Sequence, residues 1–194
     1  MKPGDPVESR YAPPKAKVAD VAQHPAPDPP FFAVAPWKFV VLSILTFEIY
    51  TGYWFYRNWR ILKRRSTLPI SPVARAIFPW FFCHALLKQI RTEEGALRIE
   101  PLLAAGPLAA AWIVLSLCGL FPGGLGWLGY LAPVALGFAQ AHVTRINDKA
   151  APGHDPNARF TVWNWVAVML GVLAYAAFML MPVPTDAIRL DSIL

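Results

Sequence analysis

The chain has 194 residues, of which 56% are hydrophobic and 15% charged, and its formal net charge is +6. In soluble domains about a quarter of the residues are charged, so this composition indicates a membrane protein instead. The positive charge is concentrated, because residues 57–98 hold nine basic side chains against two acidic ones. A nucleic-acid-binding protein would carry such charge on a soluble fold, so we expect no nucleic-acid partner.

Residues 1–36 are predicted to be a disordered, proline-rich tail. They contain nine prolines, including the pairs Pro13-Pro14 and Pro29-Pro30. Proline removes backbone donors and favours extended polyproline geometry, so this stretch is not expected to build a packed core. No apolar core of a signal peptide follows Met1-Lys2. A membrane domain is predicted over residues 37–182, followed by a short C-terminal tail over residues 183–194.

The membrane domain contains apolar stretches close to the roughly 20 residues that a helix needs to cross a bilayer. Backbone groups in lipid must be satisfied within the segment, so these stretches are predicted to be helices. The fold class is therefore all-α, an integral membrane helical bundle of about four membrane segments. The segments are residues 39–56, 102–121, 127–143 and 162–181. Small residues four apart, such as Ala167 and Gly171, predict close helix packing within the chain or in self-association.

The first segment admits two interpretations. Polar residues interrupt its apolar run near the middle, at Thr46, Glu48 and Thr51. If residues 39–56 cross the membrane, the N-terminal tail lies outside and there are four spans. If they return as a re-entrant helical hairpin, the tail stays inside and there are three. We favour the full span.

A basic cluster directly follows the first segment and indicates the orientation of the chain. Lys and Arg are retained on the cytoplasmic side of membrane proteins. Residues 58–101 and 144–160 are therefore predicted to be cytoplasmic and the uncharged turn 122–126 periplasmic, in a multi-pass protein of the bacterial inner (cytoplasmic) membrane. The cluster consists of Arg57, Arg60, Lys63, Arg64 and Arg65.

An interfacial amphipathic helix is predicted at about residues 73–91. The spacing puts His84, Lys88 and Arg91 on one face. The other face is apolar and consists of Phe78, Phe82 and Leu86. Such a helix suits the headgroup region of the bilayer. Together with the basic cluster, Lys88 and Arg91 are therefore candidate contacts for anionic lipid headgroups.

Three polar residues form a candidate intramembrane site: Glu48, Gln140 and His142. An ionisable group inside a membrane is costly and is often functional. Glu48 either meets a partner such as His142 or occupies a helix break, where it caps or hydrogen-bonds. Gln140 and His142 are either ligands or ordinary interfacial polar residues near a membrane exit.

No motif for catalysis, nucleotide binding or metal binding is present. The four histidines make no HExxH pattern, and the chain has no GxSxG or Walker sequence. The aromatic residues near the first boundary, including Tyr53 and Trp54, are expected there because amphipathic rings favour the headgroup level. The sequence therefore predicts no enzyme activity, no cofactor and no metal.

Two sequence motifs resemble those of a family of small multi-pass bacterial membrane proteins of unknown function. Residues 53–59 read YWFYRNW and residues 70–78 read ISPVARAIF, which are similar to the YWFYxNW and ISPFxRAFF patterns of that family. The resemblance covers residues 37–182 and implies a helical membrane domain without an assigned activity. One departure is Glu48, where the family pattern has a small or neutral residue.

These observations predict a non-catalytic inner-membrane protein that acts through lipid or through another membrane protein. The alternative is a protein that transports or handles a small molecule, an ion or a lipid, using Glu48 and His142. The face on which Glu48 lies discriminates between them.

Overall fold

The fold is described from a computed structural model, which covers residues 27–67, 69–121 and 123–180. Within these residues the chain forms seven α-helices, one 3₁₀ segment and no strand, so the all-α prediction is confirmed. The helices are α1 (Pro36–Leu45), α2 (Ile49–Arg65), α3 (Pro72–Ile77), α4 (Pro79–Ala96), α5 (Ala105–Cys118), α6 (Ala132–Ala150) and α7 (Val162–Leu180), with the 3₁₀ segment Gly123–Leu131 before α6. None of the described helices combines the length and the apolar character that a membrane crossing requires.

The first predicted segment is not one helix, so the full-span interpretation of residues 39–56 is wrong. The chain turns back at residues 46–48, where Phe47 and Glu48 both adopt positive φ angles, 49° and 64°. Phe39 of α1 consequently packs against Trp54 of α2, with ring centroids 5.4 Å apart. The two helices form an antiparallel hairpin, as the re-entrant alternative describes.

The Thr46 side chain holds this hairpin turn together. Its hydroxyl donates to the carbonyl of Leu42, 2.6 Å away, and accepts from the backbone N–H of Tyr50 at 3.0 Å. One side chain therefore adds a second hydrogen bond to the Leu42 carbonyl, which also accepts from the Thr46 N–H, and satisfies a free donor at the start of α2.

The predicted tail boundary at residue 36 is also wrong. Residues 27–35 are described, and Phe31, Phe32 and Val34 are buried in the main hydrophobic core. This stretch runs extended across α2 and α6 before α1 begins at Pro36. Residues 1–26 and 181–194, with the rest of the predicted tails, lie outside the described residues.

The predicted interfacial helix at residues 73–91 is two helices that meet at Phe78. Proline has no backbone N–H and is tolerated in the first turn of a helix, so Pro79 ends one helix and starts the next. In α4 the side chains of Cys83, Leu86 and Leu87 are buried, whereas Phe81 in the first turn of the helix is 79% exposed. The predicted apolar face is therefore divided, since Leu86 packs inside the bundle and Phe82 is partly buried, whereas Phe78 is 53% exposed.

The later segments differ from the predicted segments mainly in their ends. The second is shorter, since α5 covers only Ala105–Cys118 of residues 102–121. The third starts as the 3₁₀ segment and continues as α6 to Ala150, seven positions past the predicted end at residue 143. The fourth corresponds closely to α7.

The helices run between two chemically different ends of the bundle. Uncharged residues meet at one end: the α1–α2 turn, the α3–α4 junction and the 3₁₀ segment line a common cavity, and Phe47 stacks on Tyr175 of α7. We call this the uncharged end; residues 46–48, 77–81, 117–131 and 169–180 contain no Lys, Arg, His, Asp or Glu except Glu48.

The opposite end, which we call the charged end, consists of residues 27–35, 57–66, 91–103 and 144–160. Arg65 bridges two of these stretches, since its guanidinium lies 2.9 Å from Glu93 and donates to the carbonyl of Pro30. Arg145 donates to the carbonyl of Glu100, and this hydrogen bond joins residues 144–160 to residues 91–103.

Candidate functional site

Three buried amide side chains hold the extended N-terminal stretch in place. Asn147 accepts from the backbone N–H of Phe31 at 3.1 Å and donates to its carbonyl at 3.2 Å. Asn58 accepts from the N–H of Phe32 at 3.0 Å and donates to the carbonyl of Trp54. Extended backbone without a neighbouring strand has unpaired polar groups, which these amides satisfy.

Gln140 is the third member of this amide cluster. Its side-chain oxygen accepts from the indole N–H of Trp54 at 2.6 Å, and its nitrogen donates to the carbonyl of Val34 at 2.8 Å. Both ends of the Gln140 amide are therefore occupied by internal partners. The geometry gives Gln140 a structural role in place of the predicted membrane-exit or ligand role.

His142 meets a carboxylate, but not the predicted one. Its Nδ1 pairs with Glu94 of α4, which is fully buried and also accepts from the backbone N–H of Leu103 at 2.6 Å. The suggested pairing of His142 with Glu48 is therefore wrong. Glu94 was missed because it lies in a polar stretch of sequence, and only its place on the buried face of α4 indicates its role.

Glu48 lies in the turn of the α1–α2 hairpin, so its expected position at a helix break is confirmed. It is the residue before α2, but its side chain makes no capping hydrogen bond. Both carboxylate oxygens are shielded from solvent, and within the described residues neither makes a hydrogen bond of ordinary geometry, although the Thr51 hydroxyl lies beside the carboxylate. The expected capping role is wrong, because Thr46 performs it.

Glu48 is one of the residues that line a cavity of about 480 Å³ at the uncharged end, and its carboxylate oxygens lie just behind the cavity surface. Its walls come from the hairpin turn, the α3–α4 junction, α5 and the 3₁₀ segment. Other polar atoms in these walls are also buried without a partner: Ser43 Oγ, Thr51 Oγ1, Trp112 Nε1 and Ser116 Oγ. Buried polar groups are normally hydrogen-bonded, so this concentration makes the cavity a candidate binding site.

The predicted basic contacts are mostly accessible at the charged end. Arg57 is half-buried, and its guanidinium packs over the rings of Phe32 and Tyr53, 4.9 and 5.8 Å from their centroids. Two of these basic side chains also have partners within the protein: Arg65 pairs with Glu93, and Arg91 donates to the carbonyl of Leu103. The exposed basic residues of the predicted set are Arg60, Lys63, Arg64, Arg65, Lys88 and Arg91.

Lys38 is a buried cation that sequence reasoning did not select. Its ammonium donates to the side-chain oxygen of Asn157 at 2.9 Å and to the carbonyl of Arg159 at 2.8 Å. Burial lowers the pKa of Lys38, and the nearby Asp155 carboxylate opposes that shift. These bonds fasten α1 to the loop that precedes α7.

The motif residues also serve internal packing. Arg75 lies over the ring of Trp59, 4.2 Å from its centroid, and over Phe82. Trp54 and Asn58 of the first motif belong to the amide cluster.

Burial raises the pKa of the Cys83 thiol to about 12, which keeps it protonated and unreactive at neutral pH.

Comparison with known proteins gives no assignment. No protein-family model, no curated protein and no solved structure matches the chain. Within the described part of the chain, no three His, Cys, Asp or Glu side chains are grouped so that they could hold a metal ion. The Glu48 cavity and the charged end therefore stand as the candidate functional features.

Proposed function

We propose that the protein is a non-catalytic component of the bacterial inner membrane that acts through contact with lipid. One observation carries the proposal: large exposed apolar side chains cover the uncharged end and α7, while exposed basic side chains occupy the charged end. In this arrangement the uncharged end lies in hydrocarbon and the charged end remains at the cytoplasmic headgroups.

The surface of α7 gives the strongest support. Contiguous apolar patches above a few hundred Å² are rare on soluble monomers and mark interaction sites. This helix packs mainly on α1 and leaves most of its circumference uncovered. Its exposed large apolar residues are Val162, Trp163, Trp165, Val166, Met169, Leu170, Val172, Leu173 and Leu180.

The basic residues of α2 and α4 support the headgroup contact. Each Lys or Arg near an anionic surface contributes about 1 kcal/mol to binding. Arg60, Lys63 and Arg64 are exposed in the last turns of α2. We expect neutralisation of the five-residue basic cluster to reduce binding to phosphatidylglycerol vesicles while the helical content is unchanged. Unaltered binding in a vesicle flotation assay would contradict this role of the cluster.

The proposed topology puts the charged-end residues 58–66, 91–101 and 144–160 in the cytoplasm and the turn 122–126, at the tip of the uncharged end, in the periplasm. Residues 77–81, which the sequence predicts to be cytoplasmic, line the cavity beside Gly126 and Tyr130 and therefore lie with the uncharged end. Since α1 and α2 form a hairpin, the residues before α1 join the cytoplasmic side. The family resemblance of the two motifs is consistent with this topology but implies no activity.

Matched cysteine variants test this topology. Gly95 and Gly124 are exposed, and a Cβ atom added to either meets nothing within 4 Å, so both tolerate cysteine. With Cys118 replaced by Ser, we expect an impermeant thiol reagent to label Gly124→Cys in spheroplasts and Gly95→Cys only after lysis. The reverse pattern would invert the topology, and release of the protein by alkaline carbonate would refute membrane integration.

A second candidate function is the handling of a small molecule or lipid, and the Glu48 cavity favours it. The predicted path through both Glu48 and His142 lacks support, since His142 binds Glu94 and is not part of the cavity wall. A role for Glu48 in ligand binding must therefore rest on the cavity alone.

A further inference from the structure

Five residues around one cavity contribute six buried polar atoms that lack partners. They are Ser43 Oγ, Glu48 Oε1 and Oε2, Thr51 Oγ1, Trp112 Nε1 and Ser116 Oγ. Three of these residues are almost completely buried, since Ser43 is 0% exposed and Thr51 and Trp112 are each 2% exposed. A buried polar group without a partner costs about as much as a lost hydrogen bond, so a fold retains several together only when something else satisfies them.

The charge of the cavity selects the sign of its ligand. Among the described residues of the wall, Glu48 is the only Asp or Glu, and none is Lys, Arg or His. A carboxylate away from water either takes up a proton or pairs with a cation, and only the cation keeps it ionised. The complementary ligand group is therefore a cation.

The walls indicate an organic cation. The cavity volume of about 480 Å³ lies in the range of small-molecule sites and far exceeds the space of a bare ion. Aromatic side chains line it, and aromatic faces attract ammonium groups. The aromatic wall residues are Phe47, Trp80, Trp112 and Tyr130. Aliphatic residues, including Ile44 and Leu120, complete an apolar surface for a hydrocarbon substituent.

We propose that this cavity binds an organic ammonium group attached to an apolar chain, with the Glu48 carboxylate as its counter-ion. The hydroxyls of Ser43, Thr51 and Ser116 supply further hydrogen bonds to the polar head. This inference goes beyond lipid contact by the outer surface, because it depends on the cavity and not on membrane location. Two sources carry the same chemistry: the headgroup of an aminophospholipid and a free alkylamine.

The unmodified protein provides the first test. The full-length chain in a non-ionic detergent is titrated with hexylammonium, 1-hexanol and hexanoate, which share a chain and differ in charge. Binding is followed at the indole ¹H–¹⁵N resonance of Trp112, assigned with Trp112→Phe. We expect hexylammonium to bind at least tenfold more tightly than hexanol and hexanoate not to bind. Equal affinities for the amine and the alcohol would overturn the proposal.

A matched pair of variants identifies the counter-ion. Glu48→Gln keeps the size of the side chain and removes its charge, while Glu100→Gln makes the same change at an exposed position of the charged end. We expect Glu48→Gln to lose at least tenfold in hexylammonium affinity with hexanol binding unchanged, and Glu100→Gln to behave as the unmodified protein. Undiminished hexylammonium binding by a folded Glu48→Gln variant would overturn the proposal.

Two lipid environments separate the sources. In nanodiscs containing phosphatidylethanolamine, occupation by the lipid headgroup shifts the Trp112 resonance before any amine is added. In phosphatidylglycerol nanodiscs the same shift requires hexylammonium. A shift in the first case assigns the lipid, and a shift only after added amine assigns the free compound. Labelling at positions 95 and 124 is measured separately, so a failure of the topology leaves the amine titration interpretable.

Discussion

Two groups of buried polar side chains in the bundle differ in their hydrogen bonding. In the amide cluster beside the charged end, Asn58, Gln140 and Asn147 each have partners for both the oxygen and the nitrogen of the amide. In the Glu48 cavity at the uncharged end, neither Glu48 nor Thr51 makes a hydrogen bond of ordinary geometry within the described residues, although the two side chains are neighbours. The same fold thus contains one completed network and one open network.

This contrast separates structural polar residues from functional candidates. The partners of the amide cluster are backbone groups of residues 31–34 and an indole, which belong to the folded chain itself. Removing a member must therefore lower the stability. The cavity residues stabilise nothing by hydrogen bonding, so their removal should affect binding more than folding. Matched substitutions in the two places test whether the distinction holds.

The largest effect is expected for Gln140→Leu, which removes the partners of the Trp54 indole N–H and the Val34 carbonyl. Each unsatisfied buried group costs about 1–3 kcal/mol, so the free energy of unfolding should fall by roughly 2–5 kcal/mol. Chemical unfolding followed by circular dichroism measures it. The control Gln89→Leu changes an exposed residue of α4 and should leave stability almost unchanged. Equal values for the two variants would mean that the amide cluster does not hold the N-terminal stretch.

A smaller loss is expected for His142→Leu, which leaves the fully buried Glu94 carboxylate with the N–H of Leu103 as its remaining partner. A charged group that loses a buried partner costs about 2–3 kcal/mol. Thermal and chemical unfolding of this variant are compared with those of His84→Leu, at an exposed position of α4. If His142→Leu is as stable as His84→Leu, the pairing of His142 with Glu94 does not stabilise the fold. Possession of a buried partner would then no longer distinguish structural polar residues from functional candidates.

Gly171→Ala should disturb the contact between α7 and the end of α1 and leave the amide cluster unchanged. A Cβ atom at position 171 would lie 1.8 Å from the carbonyl oxygen of Leu45, so α7 must move away from α1. Overpacking of this kind costs about 1–3 kcal/mol. We expect faster amide hydrogen exchange in residues 46–52 and an unchanged Trp54 indole signal.

Gly106→Ala is the control for this substitution. Nothing lies within 4 Å of the added Cβ atom, and alanine favours the helix by up to about 1 kcal/mol. If both glycine variants lose stability, an added methyl group is destabilising even where space is open. The close contact between α1 and α7 would then not be the cause of the loss in Gly171→Ala.

The smallest effect on stability is expected for Thr51→Val in the cavity. Its hydroxyl has no partner, so the nearly isosteric change should leave the free energy of unfolding within about 0.5 kcal/mol or raise it. Thr46→Val is the matched change in the same hairpin, and it removes two hydrogen bonds at a cost of about 1–2 kcal/mol. A destabilised Thr51→Val variant would place Thr51 in the completed network.

The helical segments are predictable from the sequence where they depend on the local pattern of apolar and polar residues. The uninterrupted apolar run at residues 162–181 corresponds to α7, and the polar residues near Thr46 were correctly seen as a place for a break. The choice between a crossing and a hairpin was wrong because it depends on the contact between Phe39 and Trp54 across the turn. Periodicity within a segment contains no information on such a contact.

The candidate site was only partly predictable for the same reason. Glu48 was selected as a carboxylate in an apolar run, and it does line the cavity. Gln140 and His142 were assigned with it, but their partners are Trp54 and Glu94, which are 86 and 48 positions away in the chain. Ser43 and Ser116 were not selected, since a serine in an apolar helix gives no signal until the surrounding helices are in place.

The sequence by itself determined the helical class, the place where the first segment could break and the separation of charged from uncharged segments. These properties follow from local periodicity, from polar residues at the turn and from the positions of Lys and Arg. Only the tertiary structure decided that Phe31 and Phe32 enter the core, because three distant amide side chains satisfy the backbone around them. It also decided which buried polar groups find partners and which do not, since hydrogen bonding depends on distances between helices.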